Sequence, residues 1–134
     1  MADVRITELD HIVLNVRDVE ASLAFYIGVL GLKGERVEEF RRGEVGFPSV
    51  RINDETIVDL SAIKGAANED ATVKNLAHYC LVADPIDLAA LAEQLRAQGV
   101  GVRQGPVSRW GARGRATSIY IVDPDGNEIE IRCY

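Results

Sequence analysis

The chain contains two histidines, His11 and His78. Each opens an apolar run, L9-D-H-I-V-L-N-V-R-D-V19 in one case and L76-A-H-Y-C-L-V-A-D84 in the other. Neutral imidazole ligates divalent transition metals, and two imidazoles with one carboxylate leave positions open for water or substrate. A lone strand histidine is more often a satisfied core or cleft residue. Two of them at matching places, 67 residues apart, argue for a shared task.

Laid over itself at that offset, the chain repeats. Leu9 meets Leu76, His11 meets His78, and Gly34 meets Gly101. After each histidine comes a strand (12–16 and 79–83), then an acidic turn, then a helix. The first helix carries Leu23, Phe25, Tyr26, Val29 and Leu30 at helical spacing, the second Leu88, Leu91, Ala92 and Leu95. Each ends at a glycine, Gly31 or Gly99. Strands follow over 32–38, 44–51 and 56–61, with N53-D54 as a hairpin turn, and over 102–104, 117–122 and 128–133, with D-P-D-G-N127 as the turn. Residues 64–74 are polar and read as a linker. Residues 105–115, G-P-V-S-R-W-G-A-R-G-R, read as a loop.

The fold class is therefore α+β: two paired βαβββ modules, about 7–63 and about 75–134, within one domain spanning 1–134. Each half has an apolar sheet face it cannot cover alone. Two halves side by side form a concave mixed sheet around a pocket.

Alternation along a strand assigns the faces. Ile12, Leu14 and Val16 take the core, while His11, Val13 and Asn15 face inward. His78, Cys80 and Val82 face inward in the second half, as do Glu128, Glu130 and Arg132 in the last strand. Asp59 faces inward between Val58 and Leu60. Ser118 and Tyr120 share a face opposite Ile119 and Ile121. Arg109, Arg113 and Arg115, with Trp110, lie in the Gly-rich stretch, where guanidinium groups suit an anionic substrate; a solvated surface loop is the plainer alternative. Arg41 and Arg42 read as solvated turn charges, and Cys80 as a buried, unreactive thiol.

A length of 134 residues and an apolar fraction of 47% fit an ordinary globular domain. The net charge of −6 argues against a nucleic-acid partner. No apolar run reaches membrane-spanning length, so no membrane partner is expected. Cys80 and Cys133 lack metal-motif spacing and read as free thiols. The N-terminus has no apolar signal region, so the cytoplasm is the expected location.

The L-D-H-I-V-L-N-V-R-D-V start, the F-Y-x-x-V-L-G-L helix end and the D-P-D-G-N-E-I-E-I finish resemble the vicinal oxygen chelate superfamily, which includes glyoxalase I, bleomycin-resistance proteins and extradiol dioxygenases. The stretch 105–125 resembles a narrower subgroup of small glyoxalase-domain proteins. The resemblance implies metal ligation by His11, His78 and Glu130, and puts the fourth family position on Asp59, as ligand or general base. It implies one divalent ion (Ni, Zn, Mn, Fe or Co) and a small oxygen-rich substrate. Beside that, Tyr120 and Ser118, which share a strand face, are candidates to donate hydrogen bonds to substrate oxygens, an ordinary polar sheet face being the plainer alternative, and Arg109, Arg113, Arg115, Trp110 and Asn15 are candidates for substrate contact. The resemblance also implies a homodimer. The implied activity is that of a metal-dependent isomerase, lyase or transferase. The alternatives are a metal-free protein that sequesters a drug or metabolite, and a non-heme Fe(II) dioxygenase. No well-known activity is matched in full: Asn15 stands where glyoxalase I often has Arg, and Gly114 where fosfomycin-resistance transferases usually have Ser. The further histidine that extradiol enzymes generally need is missing.

Overall fold

The computed structural model describes residues 3–64, 74–122, 124 and 126–134. Most of the expected linker, and Asp123 and Asp125 of the D-P-D turn, lie outside these residues. The elements run β1 (Ile6–Val16), α1 (Val19–Leu23, continued as a π-helical turn over Ala24–Val29), β2 (Lys33–Glu35), α2 (Val37–Arg41), β3 (Ser49–Arg51), β4 (Ile57–Ala62), β5 (Leu76–Ala83), α3 (Leu88–Ala97), β6 (Gly101–Gly111), β7 (Gly114–Val122) and β8 (Glu128–Cys133). The class is α+β, as expected. The chain forms two compact units, one of residues 1–11 and 78–134, the other of residues 12–77, so β1 contributes to both.

In the first unit, β5 and β8 are parallel, with Cys80 opposite Glu130. β8 and β7 are antiparallel, with Tyr120 opposite Glu130 and Ser118 opposite Arg132. β7 and β6 form a long antiparallel ribbon. α3 covers one face because Leu88, Leu91, Ala92 and Leu95 recur at helical spacing, and they pack on Ala83, Ile119 and Ile131. The helix starts at Asp87, whose side chain accepts from the Ala90 N–H. Because Ile119, Ile129 and Ile131 go to this core, Ser118, Glu130 and Arg132 are sent to the other face.

In the second unit, β2 pairs with β3 and β3 with β4, all antiparallel. Val19, Leu23, Val50 and Leu60 form its buried core. Asp18 caps α1 by accepting from the Ala21 N–H. Asn53 shapes the tight turn before β4, its side chain accepting from the Glu55 N–H.

Four sequence expectations are corrected. The first helix does not bury its whole apolar set: it widens to a π-turn, with the Leu30 N–H on the Phe25 carbonyl at 3.0 Å, leaving Phe25, Val29 and Leu30 exposed. The strand expected over 32–38 stops at Glu35, since Arg36 turns the chain at φ 58° and Val37–Arg41 is helical. Val37 and Phe40, three apart, pack on the core from one helix face. Within 44–51 only Ser49–Arg51 is strand. The loop expected over 105–115 is the tip of the β6–β7 ribbon. Its glycines serve close approach: Gly105, at φ +106°, lies where a Cβ would come 2.5 Å from the Ser118 carbonyl oxygen.

Arg41 and Arg42 are exposed and ion-paired, Arg41 with Glu20 and Glu38, Arg42 with Glu39 and Glu44. Replacing the α3 cap, Asp87→Ala, is expected to lower stability by about 1 kcal/mol in urea unfolding, with an unchanged slope.

Candidate metal centre

The histidines, carboxylates and tyrosines of interest belong to the first unit. β1 brings Asp10 and His11, β5 brings His78 and Cys80, β7 brings Ser118 and Tyr120, and β8 brings Glu130 and Arg132. Ligand atoms of His11, His78 and Glu130 all lie within 4.8 Å of one another. His11 Nε2 is 3.4 Å from one Glu130 oxygen, and His78 Nε2 is 4.0 Å from the other. The two imidazoles meet edge to face at 5.5 Å. His11 and Glu130 are buried and His78 is half-buried.

The buried Nε2 of His78 has no hydrogen-bond partner among the described residues. Burial pushes the ring down to about 4, against the pull of Glu130 and with a further push from His11. His78 is thus neutral near pH 7 and able to offer a lone pair. Tyr120 donates its hydroxyl to Glu130, and its ring stands edge-on to His78. Burial and that hydrogen bond push the phenol up, so it keeps its proton. Cys80 is likewise a thiol, its pKa raised by burial and by Glu130.

A buried support stands behind these groups. Asp10 Oδ1 lies 2.6 Å from His11 Nδ1 and accepts from the Ala112 N–H at 2.9 Å. Asp10 Oδ2 accepts from the Tyr134 hydroxyl and lies 3.7 Å from Arg132 Nε. Arg132 also reaches Glu130 at 3.4 Å and donates to the carbonyls of Arg109, Trp110 and Gly114. Burial alone would raise the Asp10 carboxyl; the hydrogen bonds from His11, Tyr134 and Ala112, with the Arg132 charge, outweigh it and hold the carboxyl below the usual range. Burial lowers Arg132, but Asp10 and its neighbours win and raise it. Gly111 lets this cluster close, since a Cβ there would come 2.5 Å from the guanidinium and 2.6 Å from Asp10 Oδ1.

The other sequence candidates fall as follows. Arg109 stands over the Tyr120 ring at 5.9 Å. Arg113 is stacked on Tyr134 at 4.2 Å and paired with Glu8 at 2.9 Å. Arg115 is exposed, opposite Trp110 in the ribbon. Ser118 is buried, and its Oγ has no hydrogen-bond partner among the described residues. Asp59 and Asn15 belong to the second unit. The Asp59 carboxylate there accepts from the Ser49 hydroxyl at 2.5 Å, and the Asn15 amide donates to the Lys74 carbonyl at 2.7 Å. Asp10 and Tyr134 are not reached by sequence reasoning. Period-two alternation sends Asp10 to the face opposite His11, and nothing local marks a tyrosine 124 residues away as its partner.

The profile of the Glyoxalase/Bleomycin resistance protein/Dioxygenase superfamily matches residues 8–131. The chain is 33% identical over 129 residues to virulence protein STM3117 of Salmonella typhimurium, covering 96% of this chain and 85% of that protein. It is 32% identical to a lactoylglutathione lyase of Neisseria meningitidis, covering 90% of this chain and 86% of the lyase. Among solved structures, the Mn(II)-bound glyoxalase of Novosphingobium aromaticivorans shares the fold at a TM-score of 0.69 and 21% identity, covering 97% of this chain and 40% of that one.

Two variants check the support. Gly111→Ala is expected to cost about 1–3 kcal/mol in urea unfolding, because the guanidinium must move. The stability that Asp10 contributes is full above its ordinary value of 3.8 and is lost as pH falls through its lower folded value. Tyr134→Phe removes one group that lowers it, so the acid-unfolding midpoint should move to higher pH, read by far-UV circular dichroism.

Proposed function

Because the chain belongs to the Glyoxalase/Bleomycin resistance protein/Dioxygenase superfamily, we propose that it is a divalent-metal-dependent enzyme of the isomerase, lyase or transferase type, with His11, His78 and Glu130 as the protein ligands. The observation that carries this reading is the convergence of those three donors within 4.8 Å around a buried His78 Nε2 that lacks a partner among the described residues. An orphaned nitrogen beside a carboxylate is costly unless something fills the gap. Two imidazole nitrogens and one carboxylate suit Ni, Zn, Mn, Fe or Co and leave room in the coordination sphere.

When bound, such an ion supplies Lewis acidity toward neighbouring oxygens of a substrate. The chain's residues do the rest. Tyr120 holds its proton and orients Glu130 through their hydrogen bond. Ser118 offers a buried hydroxyl to a substrate oxygen. Arg109, over the Tyr120 ring, suits a carboxylate or phosphate on the substrate. The substrate class is thus a small, oxygen-rich anion, a reading supported by the relative named for a lactoylglutathione.

Elemental mass spectrometry on untagged protein is expected to find about one ion per chain, lost in both His11→Ala and Glu130→Ala. Absence of Ni, Zn, Mn, Fe and Co after reconstitution with each would overturn the enzyme reading and leave a metal-free ligand-sequestering protein. Iron as the resident ion would favour an oxygenase.

A further inference from the structure

We propose that Asp10 is a positioning residue that fixes the tautomer and orientation of His11, so that Nε2 and not Nδ1 faces the donor cluster. This rests on the metal reading above and goes beyond it. Asp10 and His11 are both buried, and their contact at 2.6 Å is on the far side of the ring from Glu130. Both Asp10 oxygens already serve as acceptors, Oδ1 from the Ala112 N–H and Oδ2 from the Tyr134 hydroxyl, so the 2.6 Å contact is a further donation to Oδ1, from the His11 Nδ1–H. Nε2 is then the ring nitrogen on the side where Glu130 and His78 converge, 3.4 Å from a Glu130 oxygen.

A simple counter-charge for Arg132 would be built differently. A carboxylate serving that end alone would take the guanidinium in a close, two-pronged pair. Instead the nearest Arg132 nitrogen is 3.7 Å away, and the short contact goes to the histidine. Asp10 is itself held from two further directions, by the Ala112 N–H and by the Tyr134 hydroxyl. Two guanidinium groups stand over the Tyr134 ring, Arg113 at 4.2 Å and Arg132 at 4.7 Å. The carboxylate cannot turn from His11 without breaking contacts to separate parts of the unit. Outer partners of this kind set the basicity and aim of a ligating imidazole.

The test uses Zn(II) as the probe, with affinity read by competition against a chromophoric chelator. Asp10→Asn is expected to weaken zinc binding by about 10–100-fold while the near-UV spectrum and Tm show a folded protein. Ring-nitrogen NMR of the zinc-loaded wild type is expected to show His11 protonated at Nδ1 and bound through Nε2. In Asp10→Asn, the Nδ1 proton should exchange faster. Unchanged zinc affinity in folded Asp10→Asn overturns the proposal, as does a wild-type His11 bound through Nδ1. If Asp10→Asn does not fold, the wild-type NMR result still decides. Tyr134→Phe, which leaves the carboxylate but frees one side of it, should then show a smaller loss of affinity. His11→Ala separates the two readings. If it binds zinc like wild type, the metal reading itself falls. If it loses zinc while Asp10→Asn does not, only the role of Asp10 falls.

Discussion

A buried guanidinium organises the first unit. Arg132 has no exposed side-chain surface, and its charge is met by Asp10 and Glu130 and by three backbone carbonyls of the β6–β7 ribbon. Removing one partner from such a set strands a charge in a poor solvent, at a cost on the order of 3–5 kcal/mol. The same contacts decide where the donor cluster sits. Glu130 is held from one side by Arg132 and from another by Tyr120, so its oxygens point at the two imidazoles. The cluster is thus aimed by electrostatic need as much as by apolar packing.

The apolar cores set the frame for this. Each unit has its own, one under α3 and one under α1. In the first, strict alternation in β7 and β8 gives isoleucines to the helix side and Ser118, Tyr120, Glu130 and Arg132 to the other. The helix therefore places these polar residues by packing on the isoleucines that alternate with them. It fixes which way the strands face, and the register of β5, β7 and β8 brings Cys80, Tyr120 and Glu130 abreast.

Much of this is legible in the chain itself. The α+β class follows from the alternation of apolar strands and helices along the chain, and period two assigns the faces of β5, β7 and β8. What failed to read through were places where one residue type serves two ends. Glycine at 105 and 111 signals a loop by composition, yet both sit in strands where another group comes too close for a Cβ. Val37 and Phe40 look like strand residues but lie on one face of a short helix. Asp10 was hidden because alternation sends it away from its neighbour His11 and its other partners, Ala112, Arg132 and Tyr134, are remote in sequence, so no local pattern encodes the cluster. The choice of Glu130 over Glu128 came from family likeness, since alternation alone allows both.

The carbonyls that receive Arg132 have a bearing on synthesis. The cluster joins residues 10 and 11 to residues 78, 120, 130 and 132, and its hub is received by carbonyls of a ribbon made late in the chain. Contacts this distant in sequence are slow to form, because the intervening chain must be closed before they return any stability. A nascent chain on the ribosome therefore exposes His11 and Asp10 long before their counterparts exist. During that interval the acid and the imidazole of the first strand lack the remote counterparts that the finished fold gives them.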